Sequence, residues 1–133
     1  MFNEYELFLD SIGSENYWSD VGMDIARAKV LEFDNSDWIK LESVLNVKPD
    51  DWQIRCAESL SDSNDERAIN ILLKLAKSED ESIIIHAIES IESIFSAGCF
   101  FDSARVVLAL NEGFEGSTRT VKLMVATLIK KIK

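Results

Sequence analysis

The chain reads as an all-α protein built from stacked antiparallel helix pairs, about eight helices in all. Three observations carry that reading. Apolar residues recur at helical spacing along almost the whole length. One proline and five glycines leave too little punctuation for the many turns of a sheet protein. A five-residue pattern also returns after 31 residues: Cys56-Ala57-Glu58-Ser59-Leu60 is echoed by Ala87-Ile88-Glu89-Ser90-Ile91.

The elements follow in order. Tyr5, Phe8, Leu9 and Ile12 fall at i, i+3, i+4 and i+7, and Gly13 supplies a stop. Gly13–Ser19 then reads as a polar loop, open to an exposed interaction role for Trp18. A second helix is expected from about Asp20 to Leu31, with Val21, Ile25, Ala28 and Leu31 inward. A third follows Ser36, with Trp38, Leu41, Val44 and Leu45 on one face. A fourth opens at Pro49, whose missing N–H would be unpaired at a first helical position in any case. It carries Trp52, Cys56, Ser59 and Leu60.

Ser63-Asn64-Asp65-Glu66 and Ser78-Glu79-Asp80-Glu81 fit capping boxes ahead of helices five and six. Their inward residues are Ile69, Leu72, Leu73 and Ala76, then Ile84, Ala87, Ile88, Ile91 and Ile94. The β-branched run Ile83-Ile84-Ile85 would suit a strand, but the capping box before it and the helical spacing after it outweigh that. Helix seven spans about Asp102 to Leu110. A glycine-rich break at Glu112–Gly116 separates it from helix eight, about Ser117 to Ile132.

The 31-residue offset also pairs Trp38 with Ile69, Leu41 with Leu72, Val44 with Leu75, and the turn Pro49-Asp50-Asp51 with Asp80-Glu81-Ser82. A fainter third copy, Met124–Leu128, lies 37 residues beyond Ala87–Ile91; the extra residues fit the glycine-rich break. One amphipathic pair cannot bury its own apolar face. Stacked pairs can, and the small residues Cys56, Ala57, Ser59, Ala87 and Ser90 let helices approach closely.

In this pattern the chain resembles HEAT-like repeats. Asp51-Trp52-Gln53-Ile54-Arg55-Cys56-Ala57-Glu58-Ser59-Leu60 looks like the second helix of such a pair. The resemblance covers residues 37–95, and more faintly 102–130. It implies a right-handed α-solenoid with a concave binding surface, in which residues 1–35 form N-terminal capping helices and 37–133 the repeats of one 133-residue domain. An irregular helical bundle is the competing architecture.

With 47% hydrophobic and 29% charged residues the composition is globular rather than disordered. A net charge of −10 opposes nucleic-acid binding and favours a basic partner, although acidity also serves solubility alone. The charge is uneven. Residues 1–66 hold 16 acids against 5 bases, while residues 67–133 hold 8 against 9. No acid follows Glu115, where Arg119, Lys122, Lys130, Lys131 and Lys133 remain; the last three complement a helix C-terminus.

Cys56 and Cys99 both read as small buried residues. The opening Met1-Phe2-Asn3-Glu4 has no basic leader, and no apolar run approaches the roughly 18 residues of a membrane span. A cytoplasmic protein without membrane contact is expected.

Catalytic constellations do not emerge. The lone His86 has no marked nucleophile or carboxylate partner. There is no CxxC, HxxxH, GxGxxG or phosphate-binding glycine loop. No catalytic residue, metal ligand or cofactor site is expected, and the chain is read as a non-enzyme. In stacked pairs the turns within each pair would align along one edge. That edge would carry Asp50, Asp51, Glu79, Asp80, Glu81, Glu112 and Glu115, able to steer a basic ligand. The exposed faces of the second helices would add Trp52, Arg55, Glu58, His86 and Glu89; core packing is the competing reading for Trp52 and the preferred one for Trp38.

As a small, acidic, single-domain chain without catalytic motifs, the protein is similar in style to helical immunity proteins of interbacterial toxin systems. That resemblance of type implies an antitoxin-like protein that neutralises a basic toxin domain by direct binding. A HEAT-like scaffold or adaptor is the alternative. A HEAT-like enzyme acting on nucleic acid ranks lower, because the charge balance opposes a basic groove.

Overall fold

The computed structural model describes residues 1–98 and 102–132; Cys99 and Lys133 lie outside the described residues. All regular structure among them is helical. The elements are α1 (Phe2–Asp10), α2 (Glu15–Tyr17), a π turn (Trp18–Gly22), α3 (Met23–Leu31), α4 (Asn35–Val44), a 3₁₀ turn (Leu45–Val47), α5 (Asp50–Ser59), α6 (Glu66–Leu75), α7 (Glu81–Ser96), α8 (Ser103–Leu110) and α9 (Arg119–Ile132). Glu15–Leu31 is one continuous run, so the described residues hold eight helical bodies, the number that spacing predicts.

The 31-residue echo extends from side chains to helix starts. Asp34 caps α4 and Asp65 caps α6; α5 follows Pro49 and α7 follows Asp80. Aspartate wins three of these four positions because its carboxylate accepts the orphan N–H groups of the first turn and sits at the positive end of the helix dipole. The expected serine-led capping boxes are therefore corrected. Ser63 and Ser78 instead accept the backbone N–H of Asp65 and Asp80, which then cap α6 and α7. The third helix likewise starts ahead of Ser36. Asp34 and Asp37 form a reciprocal capping box. Pro49 occupies the capping position itself rather than the first helical one.

The N-terminal run departs most from expectation. Trp18 is not in a loop: it is 1% exposed, inside the helical run. The inward face is Trp18, Gly22, Ala26 and Val30, whereas Leu31 is 72% and Val21 46% exposed, and Ala28 is exposed too. A strict spacing of four drifts by about 40° per step on an ideal α-helix. The wider π turn takes up part of that drift and keeps these four residues on the core. Gly22 is needed there: a Cβ would stand 3.0 Å from the Trp18 ring and 3.4 Å from Ile12.

α3 packs on α5, α5 on α7 and α7 on α9; α1 packs on α3, α4 and α5, while α6 lies against α5, α7 and α8, and α8 against α9. Small residues serve these contacts. Ala57, Ala87 and Ser90 are buried, and Ser90 Oγ donates to the Ala57 carbonyl at 2.8 Å across α5 and α7; Cys56 and Ser59 are buried as well, with Ser59 Oγ 2.7 Å from the Tyr5 hydroxyl of α1. At the N-terminal end, Asp37 accepts the Phe2 N–H at 2.9 Å and the Asp34 N–H at 2.8 Å. Polar bridges join one pair to the next: Arg67 to Asn35, Arg105 to Asn70 and Glu66, and Lys74 to Glu42.

Candidate binding surface

The turns between α4 and α5, between α6 and α7 and between α8 and α9 face one another across two grooves. The first, about 780 Å³, is lined by Asn46, Asp50 and Gln53 on one side and by Lys74, Lys77, Glu79 and Asp80 on the other. The second, about 290 Å³, lies between Glu79, Glu81 and Ile84 and the segment Gly116–Thr118. Asp50, Asp51, Glu79 and Glu81 are exposed on the edge that joins them.

The balance of charge there is set by what each group already holds. Asp80 is committed to capping α7, accepting the Ile83 N–H at 3.2 Å. Glu81 accepts a bond from Thr118 Oγ1 at 3.1 Å. Asp50, Asp51 and Glu79 have no hydrogen-bond or ion-pair partner among the described residues. The nearby cations are occupied. Lys74 pairs with Glu42. Lys77 Nζ donates to the carbonyls of Ala109 (3.0 Å) and Glu112 (2.5 Å) and lies 4.7 Å over the Phe114 ring. Lys48 pairs with Glu6 at 2.9 Å and Asp10 at 3.6 Å, on the face of Trp52. Burial works against the Lys48 charge, but those two carboxylates win and hold its pKa above the ordinary lysine value. The edge therefore keeps unneutralised carboxylates although lysines stand beside it.

The third turn breaks the expected pattern. Glu112 and Glu115 line neither groove: Glu112 offers only its backbone carbonyl to Lys77, and Glu115 lies at a separate groove between α8 and α9. Gly116, Ser117 and Thr118 take their place. Along the two grooves themselves the acids come from the first two turns.

The second expected surface is partly a structural brace. Trp52 is 3% exposed and stacks edge-on to Tyr5, so it belongs to the core. Arg55 is held by Glu15 at 2.8 Å. Glu58 accepts the Trp18 indole N–H at 3.3 Å. Burial pushes the Glu58 carboxyl up, with Glu15 and Glu89 adding to the effect and His86 and the Trp18 N–H opposing it. His86 Nδ1 lies 2.7 Å from the Ser82 carbonyl. Glu89 stays exposed. Sequence reasoning missed Glu15 and Trp18 in this cluster. Ser14 was the available signal: it caps α2 by accepting the Tyr17 N–H, a helix start ahead of Trp18.

Cys56 is inert in this fold. Burial drives its thiol up to about 12, outweighing a bond from Tyr5. No cluster of His, Cys, Asp and Glu suited to a metal ion occurs among the described residues, and no helix there is long and apolar enough to cross a membrane. No protein family, curated protein or solved structure matches the chain.

Proposed function

We propose that the chain is a protein-binding module, an immunity or antitoxin-like protein that neutralises a basic bacterial toxin domain by direct binding, and that it acts without catalysis in the cytoplasm. In this reading the packed pairs form a HEAT-like stack whose turn edge meets the partner. The observation that carries it is the edge at Asp50, Asp51 and Glu79. Its carboxylates have no internal partners while Lys48, Lys74 and Lys77 are bound elsewhere. Such groups attract lysine and arginine side chains of a partner and speed encounter, and the overall −10 charge works in the same direction.

The test is titration calorimetry against the product of the neighbouring gene. One-to-one binding is expected. Asp50→Lys with Glu79→Lys should weaken it at least tenfold, about 1.4 kcal/mol, mostly through slower association. Absence of binding, or binding indifferent to the double charge reversal, would sink the proposal.

A further inference from the structure

We infer that the two ends of the helix series fit one another, so that a second copy of the chain docks its α3 on the groove left between α8 and α9. This surface is separate from the turn edge and stands or falls independently of it.

The argument starts from how α9 sits on α7. Thr118 Oγ1 bonds Glu81 and Lys131 pairs with Glu92 at 3.4 Å, with Ile88 fully buried on the same line of α7. An advance of 37 residues, the offset of the third copy, carries that line onto Thr118, just ahead of α9, and onto Val125 and Ile129 within it. Val125 and Ile129, with Lys122 and Ala126, line a mostly apolar groove of about 360 Å³, bounded by Leu110 and Phe114 and with Glu115 at its rim. The last helix thus offers the kind of surface on which it is itself seated.

The opposite end supplies an exposed apolar line. α3 opens the α3–α5–α7–α9 series and, with the π turn before it, bears a second apolar line, Val21, Ile25, Ala28 and Leu31. Val21, Ala28 and Leu31 are exposed, and so are the flanking Asp20, which has no partner among the described residues, and Asp24, which pairs only with Arg27 of its own helix at 3.6 Å. Charge completes the match. Arg119, Lys122 and Lys130 have no ion-pair partner among the described residues, whereas acids outnumber bases 16 to 5 over residues 1–66. A second copy would place its apolar line in the groove and its aspartates toward Lys122 and Lys130. The contact joins unlike surfaces, so it can propagate head to tail.

Sedimentation velocity of the 133-residue chain over a range of concentrations tests this. At low salt the average mass should rise with concentration through multiples of 15.0 kDa, and it should fall back as salt screens the charges. Ala28→Arg and Ala126→Arg alter exposed helix positions at the two ends, so each variant should fold, as circular dichroism will check. Each alone should be monomeric. Mixed, they should form a one-to-one dimer and stop there, because each pair keeps one intact head and one intact tail. A chain monomeric throughout overturns the proposal. So does a dimer whose two single variants fail to complement, or a monomeric chain whose groove binds an unrelated acidic amphipathic peptide.

Discussion

Between Asp34 and Ser96 two helix pairs repeat at an offset of 31 residues, down to the aspartates that cap α4 and α6. Between Ser14 and Leu31 the chain instead makes one run, widened by a π turn. Both regions meet the same requirement, close approach of helices, and both use small residues for it: Ala57, Ala87 and Ser90 in the pairs, Gly22 and Ala26 in the run. They differ in periodicity. The pairs hold the ordinary 3.6-residue rhythm, and the run buries every fourth residue. A repeating unit can be recognised from its own second copy; a lone widened turn has nothing to be compared with.

The largest effect should come from where the repeated region meets α1. Asp37 is 5% exposed and binds the backbone of both Phe2 and Asp34. Asp37→Ala should cost about 3 kcal/mol in urea unfolding, because it leaves buried donors without their charged acceptor. Burial acts to raise its pKa, but the N–H bonds from Asp34 and Phe2 and the N-terminal ammonium prevail and hold it below the ordinary value. A depressed carboxyl stabilises above its unfolded pKa, about 3.9, and that contribution disappears as pH falls through the lower folded value. Stability should therefore drop below about pH 4. Asp37→Asn should flatten that part of the profile; an unchanged acid limb would remove Asp37 from this role.

Next in size is Gly22→Val. The added atoms meet a tryptophan that is sealed from solvent, and the overpacking should cost about 2 kcal/mol. If thermal unfolding shows no loss, the widened turn is not what seats Trp18. A smaller effect belongs to the regular region. Ser90→Ala removes the bond across α5 and α7 and should cost about 1 kcal/mol.

The smallest effect separates the two regions by sign. Glu58 joins the run to α5, and burial raises its pKa. A raised carboxyl opposes folding above its folded pKa, and that opposition fades as pH falls through the folded value toward the unfolded one. Glu58→Gln should leave neutral-pH stability unchanged or slightly higher, opposite to Asp37→Ala. A clear loss would mean that the Trp18 bond outweighs desolvation.

These contrasts explain what could be read from the residues alone. α4 to α7 were legible because apolar spacing, turn residues and the internal echo agreed. The inward face of α3 was not, because Val21, Ile25, Ala28 and Leu31 form a better 3.6-period stripe than the residues that are buried. Nor was the third turn. The sequence places Glu112 and Glu115 near it, but Lys77 takes the Glu112 carbonyl beside Gly113, whose φ of +84° favours glycine. The acids at Asp50 and Glu79 were legible as turn residues. Their lack of partners was not, since it depends on where three lysines reach.

The tryptophans give these regions unequal visibility. Trp18, Trp38 and Trp52 are all buried, and the chain has no tryptophan beyond residue 52. Indole fluorescence will therefore follow the N-terminal portion, while far-ultraviolet circular dichroism follows every helix. If α8 and α9 melt before the rest, ellipticity will fall while emission stays at its native wavelength. The lag between the two signals would measure how cooperatively the far end is joined to the near one.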